Sequence, residues 1–279
     1  RHAYAKISPW NSDGTRIMLS YSWPAAILDG STYAFIRTFD NPSYSTWSNT
    51  NPNYVYGVLG NRFVRVDVSG TPQTTTLRTF TGYDSISLGE GEGNISNDDQ
   101  FVALLGRQGA ATFLMVYNIA QNTIVSTLDL GGRWPDWASM SQSGNHVVVS
   151  WEPDGTSRYQ GIEIYDRNLA FVRQIDPQSS HGDLGYNQAG QEVYVSMADG
   201  YYPGATVRSV RLDGGGVTVL IDDTPGFRSG HISCRNIDRP GWCYLSTYTT
   251  TTSMIGYDEV FALKVDASNT VERFGHVHR

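Results

Sequence analysis

A turn followed by a short apolar strand recurs six times along the chain, and a repeat of about 45 residues restricts the fold more than any other feature. The turns read Ser8-Pro9-Trp10-Asn11-Ser12-Asp13-Gly14, Thr50-Asn51-Pro52-Asn53, Ser96-Asn97-Asp98-Asp99, Ser141-Gln142-Ser143-Gly144, Asn187-Gln188-Ala189-Gly190 and Asn236-Ile237-Asp238-Arg239-Pro240-Gly241. The strands after them are Ile17-Met18-Leu19, Tyr54-Val55-Tyr56-Gly57, Phe101-Val102-Ala103-Leu104, Val147-Val148-Val149, Val193-Tyr194-Val195 and Trp242-Cys243-Tyr244-Leu245. Gly, Asn and Asp in such turns supply positive φ or side-chain bonds to the backbone. A later strand follows, as in Phe113-Leu114-Met115-Val116-Tyr117 or Ile162-Glu163-Ile164-Tyr165, and then an edge strand such as Ile124-Val125-Ser126-Thr127-Leu128. Four strands per repeat make a propeller blade, and segments of helical period are absent. The expected fold is an all-β propeller of four-stranded blades, with residues 1–279 in one domain. Gly275-His276-Val277-His278-Arg279 reads as the opening of a further repeat, which favours a seven-bladed ring over a closed six-bladed one.

Charge and composition narrow the partners. The net charge is −7 and there is no long basic run, so nucleic acid is a poor partner, because phosphate binding needs clustered Lys and Arg. No apolar stretch approaches a membrane span. The chain opens directly on a strand-like run at Arg1-His2-Ala3-Tyr4 rather than on a leader, as a mature secreted protein also would. With 17 Tyr and 7 Trp and few Lys, the composition suits carbohydrate binding, since sugar rings stack on flat apolar faces; propellers are also rich in strand-forming aromatics. The expectation is a secreted or periplasmic monomer whose partner is an acidic polysaccharide or oligosaccharide.

The innermost strand of a blade lines the central channel, so residues just before each hairpin turn are expected to converge on one face of the ring. Five of the six histidines occupy that slot: His2, His181, His231, His276 and His278. His146 is read as a packed strand residue. His276 and His278 alternate by two and share one strand face. With His231 they could bind a divalent metal (zinc, manganese or calcium) through imidazole nitrogens, or line a polar channel without an ion. Cys234 and Cys243 face each other across a predicted hairpin, close enough for a disulfide; the rival is a thiolate joining His231 on a metal. Glu92, in Gly89-Glu90-Gly91-Glu92-Gly93-Asn94, could present the third repeat's counterpart of the histidines, with calcium as a possible ion, but a solvated turn is the reading preferred. Asn94-Ile95-Ser96 matches a glycosylation sequon by what reads as chance.

Arg1, Lys6, Arg133, Arg228, Arg235 and Arg279 lie near the same expected face, as do Tyr4 and Tyr186. Trp47, Arg133, Trp137 and Tyr186 are read as substrate-binding. Together His, Tyr and Arg can remove a proton α to a carboxylate and stabilise the enolate, which is β-elimination on a uronic acid.

The His231 segment, the alternating His276 and His278, and turns such as Trp10-Asn11-Ser12-Asp13-Gly14 resemble propeller polysaccharide lyases, of the oligogalacturonate lyase and ulvan lyase types. The resemblance spans the architecture of the whole chain. Oligogalacturonate lyases carry a metal on three histidines and a glutamine, which implies His231, His276 and His278 as ligands. The glutamine falls where this chain has Arg273, so the fourth ligand has no counterpart. Ulvan lyases use His, Tyr and Arg for elimination. The resemblance implies His181, in Ser180-His181-Gly182-Asp183, as the catalytic histidine, then His2 and Tyr4, with Arg228 or Arg235 neutralising the carboxylate. Related propellers act on rhamnose–glucuronate linkages. The expected activity is a polysaccharide lyase on a uronic-acid-containing glycan. A glycoside hydrolase on the same scaffold needs a paired Asp/Glu site instead, and a non-catalytic binding propeller needs neither.

Overall fold

A computed structural model describes residues 6–20, 23–179, 181–197, 207–222, 229–247 and 259–276. They form a β-propeller of six antiparallel sheets, each built from consecutive strands. Sheet one holds β1 (Arg16–Leu19), β2 (Ala25–Asp29) and β3 (Phe35–Phe39), and an isolated bridge from Trp10 to Ile17 marks its innermost edge. Sheet two is β4 (Ser43–Trp47), β5 (Tyr54–Leu59), β6 (Arg62–Asp67) and β7 (Gln73–Thr79). Sheet three is β8 (Ser85–Ser87), β9 (Phe101–Gln108), β10 (Ala111–Asn118) and β11 (Thr123–Asp129). Sheet four is β12 (Trp137–Met140), β13 (His146–Trp151), β14 (Gly161–Asp166) and β15 (Phe171–Asp176). Sheet five is β16 (Gly182–Tyr186), β17 (Glu192–Met197), β18 (Val207–Arg211) and β19 (Val217–Ile221). Sheet six is β20 (Ser229–Ser233), β21 (Trp242–Thr247), β22 (Glu259–Lys264) and β23 (Val271–His276).

Every strand named from the sequence falls inside one of these. The turns that join the inner strand to its neighbour use the expected chemistry. Gly144 and Gly190 hold φ of +72° and +75°, which a Cβ would strain, and Asp99 takes that role in sheet three at +59°. The Asp99 carboxylate is fixed there by Thr50 Oγ1 at 2.6 Å and the Asn49 amide at 2.9 Å, so the turn also ties sheet three to sheet two. Glu192 does the same between sheets five and four, accepting from the Ser143 amide and hydroxyl, each at 2.7 Å.

Apolar alternation on the strands supplies the cores between blades. One cluster of buried side chains joins each successive pair of sheets from one to six, as where Met18 and Ile27 meet Trp47 and Val55, or Val193 and Val195 meet Ile232 and Leu245. The expected seventh repeat is corrected in part: Gly275 and His276 complete β23, pairing with Val260 and Glu259, and do not open a new sheet. The described residues form six sheets, and residues 277–279 lie outside them. No described helix is long and apolar enough to cross a membrane.

Candidate functional site

The inner strands β4, β8, β12, β16 and β20 all run from one mouth of the channel toward the hairpin turns. A residue at the start of an inner strand therefore faces the mouth. One five residues later lies roughly 16 Å deeper. His181 stands immediately before β16 and His231 is the third residue of β20, so both sit at the mouth, not beside the turns where the sequence placed them. Their rings meet edge to face with centroids 4.9 Å apart. Burial, followed by the neighbouring His181 and the charge of Lys6, pushes the His231 imidazole below its usual pKa.

Beside the histidines lies a set of charges that sequence reasoning recognised only in pieces. Lys6, almost wholly buried, places Nζ 2.5 Å from Glu92 Oε2 and 3.8 Å over the Trp137 ring. Burial pulls its ammonium below the ordinary value against the opposing pull of Glu92. Glu92 is brought against Lys6 and is not left on a solvated turn. It is carried to Lys6 by an excursion of the inner strand of sheet three through a 3-10 turn at Gly89–Gly91. Gly89 is required, because a Cβ on it would lie 2.0 Å from the Ala138 carbonyl oxygen and its φ is +52°. Glu90 on the same turn accepts from Ser87 Oγ at 2.7 Å and Tyr44 Oη at 3.3 Å. Asp136 reaches solvent at the mouth. Burial of its inner side and the charge of Glu92 raise its pKa, while Lys6 and His181 pull the other way.

Asp136 and His231 stand five residues before the first residue of their hairpin turns, Ser141 and Asn236, and Lys6 stands five before Asn11, whose carbonyl accepts the Gly14 amide as that of Ser141 accepts the Gly144 amide. That shared offset is the sequence signal that would have collected them.

The fully buried Asp183 lies deeper, two residues into β16. It accepts the amides of Cys234 and Leu184, each at 2.7 Å. Burial raises its pKa despite the nearby Arg235. Arg235, expected as a carboxylate-neutralising residue at the mouth, lies near the turn end of the channel. Its guanidinium is buried and crosses to sheets three and four, donating to Ser139 Oγ at 3.0 Å, the Met140 carbonyl at 2.5 Å and the Ile95 carbonyl at 3.4 Å. Its Nε is 3.9 Å from Asp183.

The residues expected to bind substrate do not gather in one place. Trp47 is buried between sheets one and two, its indole donating to the Pro9 carbonyl at 2.9 Å. Trp137 is covered by Lys6. Arg133 is exposed on the loop between sheets three and four, stacked 4.4 Å from the Tyr159 ring centroid. Tyr186 ends β16, near the turn end, within the fields of Glu192 and Arg235. His2, Tyr4, Arg228 and His278, with the side chain of His276, lie outside the described residues.

Cys234 and Cys243 form a disulfide, which settles the choice left open by the sequence: neither sulfur is available as a thiolate ligand. Arg273, at the position of the family's glutamine, is on β23 and pairs with Glu259 at 2.5 Å; a guanidinium has no lone pair to give a metal. Among the described residues, no three His, Cys, Asp or Glu side chains stand close enough to hold an ion. His181 and His231 offer two imidazoles, a donor type suited to a divalent transition metal but short of a complete set. The Asn94 sequon is internal: Asn94 Nδ2 donates to the Lys6 carbonyl at 3.0 Å, and Ser96 is fully buried.

No protein-family model matches this sequence, and no curated protein matches it. Solved structures share its fold. An oligogalacturonate lyase in complex with manganese superposes with a TM-score of 0.69 at 12% identity, covering 99% of this chain and 77% of the other. The hydrazine synthase of Kuenenia stuttgartiensis gives 0.55 at 14% identity, covering 95% and 78%. A chain of a mitotic checkpoint complex gives 0.55 at 10% identity, covering 98% and 80%. A lyase in complex with manganese, a hydrazine synthase and a checkpoint assembly share one architecture at these identities, so the likeness identifies a β-propeller and no particular chemistry.

Proposed function

We propose that the chain is a polysaccharide lyase that cleaves a uronic-acid-containing glycan by β-elimination at the channel mouth. The observation that carries this reading is the His181–His231 pair, two imidazoles 4.9 Å apart from adjacent sheets at the open end of the ring. His181 is the base: a neutral imidazole nitrogen takes the proton from C5 of the uronate, α to its carboxylate. The electron pair forms the C4–C5 double bond, the C4–O bond breaks, and the leaving oxygen gains a proton. The acid strength of C5–H depends on neutralising the carboxylate, a role for a positive side chain at the mouth, with Arg228 the candidate beyond the described residues. Tyr4 and His2 are the candidates for protonating the leaving oxygen. A divalent ion with His231 as one ligand would supply further positive charge for that carboxylate; His276 ends the outer strand β23, three strands from the inner strand β20, too far to share that ion with His231. The manganese in the similar lyase supports the ion, and the disulfide supports an oxidising compartment such as the periplasm or the cell exterior.

The test is incubation with a panel of polyuronates, followed by ultraviolet absorbance of the unsaturated uronate. The wild-type chain is expected to generate it and His181→Ala to lose at least about 100-fold in rate, the ordinary worth of a general base. Full activity in His181→Ala removes the reading.

A second reading rests on Asp136 and Glu92. A glycoside hydrolase needs two carboxyl groups in contrasting surroundings, and these two have them: burial, followed by the charge of Glu92, raises Asp136, while Glu92 pairs with the Lys6 ammonium at 2.5 Å. It predicts products without a double bond and loss of activity in Asp136→Asn.

A further inference from the structure

We propose that Asp183, braced by Arg235, is the positioning residue that sets the spacing of the histidine pair; this rests on the reading of His181 and His231 as the site. His181 and Asp183 are two residues apart at the start of β16, so their side chains leave the backbone on the same side. His231 lies on β20, three residues before Cys234. The two strands belong to different sheets and share no ladder, so side chains must fix their separation.

Asp183 does this directly. One carboxylate oxygen accepts the Cys234 amide at 2.7 Å, so a side chain of sheet five holds the backbone of sheet six. The approach is close: a Cβ at Gly185 would lie 2.8 Å from Cys234 Cβ, so glycine alone fits there. The disulfide to Cys243 anchors the same residue to β21. Arg235, the next residue, carries the tie across the channel to Ser139 and Met140 on sheet four and to Ile95 on sheet three.

A buried carboxylate with a buried guanidinium beside it is costly to assemble and costly to break on one side, and its surviving use in a fold is to fix register. Here the register it fixes is that of the two segments that deliver the imidazoles. Catalytic groups must be held to within about 0.5 Å, and a displacement of about 1 Å costs on the order of 100-fold in rate.

The experiment compares the full chain with Asp183→Asn, which leaves one acceptor oxygen for the two amides of Cys234 and Leu184 and loses the charge facing Arg235. Glu163→Gln serves as the control; Glu163 is a fully buried carboxylate of sheet four that accepts from Trp151, Arg158 and Tyr165 and has no part in the mouth. Crystal structures and turnover of unsaturated uronate are measured for each. The expected result for Asp183→Asn is a His181–His231 separation altered by about 0.5 Å or more, with kcat down at least about tenfold and KM unchanged. Glu163→Gln, though destabilised, is expected to keep both. If Asp183→Asn does not fold, Arg235→Lys, which keeps the charge and loses the planar fork, is read in its place with the same expectation. A retained separation, or a kcat no lower than that of Glu163→Gln, overturns the proposal. If the wild-type chain makes no unsaturated uronate the lyase reading falls, and the ring separation alone decides this one.

Discussion

Replacing Glu192 with Gln isolates the electrostatic part of one latch between blades, and its size follows from the structure. Burial alone would raise this carboxyl. Hydrogen bonds outweigh it: the Ser143 amide and hydroxyl donate at 2.7 Å, and His146 Nδ1 lies 3.5 Å away, which together hold the group at about 2, from an ordinary 4.5. A depressed carboxyl stabilises the fold only while it is ionised. The contribution is complete above pH 4.5, where the unfolded chain is also ionised, and is lost as the pH falls toward about 2. At about 1.4 kcal/mol per pH unit, the full effect is about 3 kcal/mol. For a chain of this size that lowers the melting midpoint of Glu192→Gln by roughly 6 °C at pH 7. The assay is a series of thermal and urea melts of both proteins between pH 2 and pH 7. The difference should be largest near neutrality and shrink between about pH 4.5 and pH 2. A difference that stays constant with pH, or one under about 1 kcal/mol at pH 7, refutes the claim that ionised Glu192 is the source.

Other substitutions probe separate parts of the ring. Cys234→Ser with Cys243→Ser opens a loop whose ends are nine residues apart, worth about 2.6 kcal/mol by loop closure, readable as a lowered urea midpoint in the absence of reductant. Gly89→Ala combines a left-handed φ with a clash on Ala138, so it should cost at least about 3 kcal/mol, seen in equilibrium unfolding, and displace Glu92 from Lys6. In a glycosylating host, folded protein should carry no glycan on Asn94, whose amide is buried against Lys6; mass spectrometry of the tryptic peptide decides.

The blades were legible because each is local. A turn, two or three short strands and an edge occupy one stretch of about 45 residues, and period-two patterning with Gly, Asn and Asp turns reports them directly. Phe101-Val102-Ala103-Leu104 and Val193-Tyr194-Val195 were placed correctly because their partners, β10 and β18, follow within the same repeat. The cysteine pair was legible for the same reason: Ser233 pairs with Tyr244, so the next residues on each side face each other. The seventh repeat was misread at Gly275 because the end of an outer strand and the start of an inner one carry the same short apolar-polar alternation. Only pairing with β22 tells them apart.

The site was legible where a repeat offset sufficed and illegible where the channel joins distant repeats. His181 and His231 share nearly the same offset from their turns, and their rings meet at the mouth, away from the turns. Lys6 and Glu92 are 86 residues apart, and Arg235 and Ile95 are 140 apart. Such contacts span the axis of the ring, so no local period encodes them. They follow from closure, which places each inner strand against strands two or three blades away. An arginine one residue before its turn can then look like a substrate-binding cation in sequence and serve as a crossbar in space. The difference lies in depth: five residues along an inner strand separate the solvated mouth, where charge can meet a sugar acid, from an interior where a guanidinium must be fully partnered by protein. Arg235 stands near the deep end of that interval, four residues after His231 at the shallow end, so the chemistry available to each was fixed by its offset before any substrate is considered.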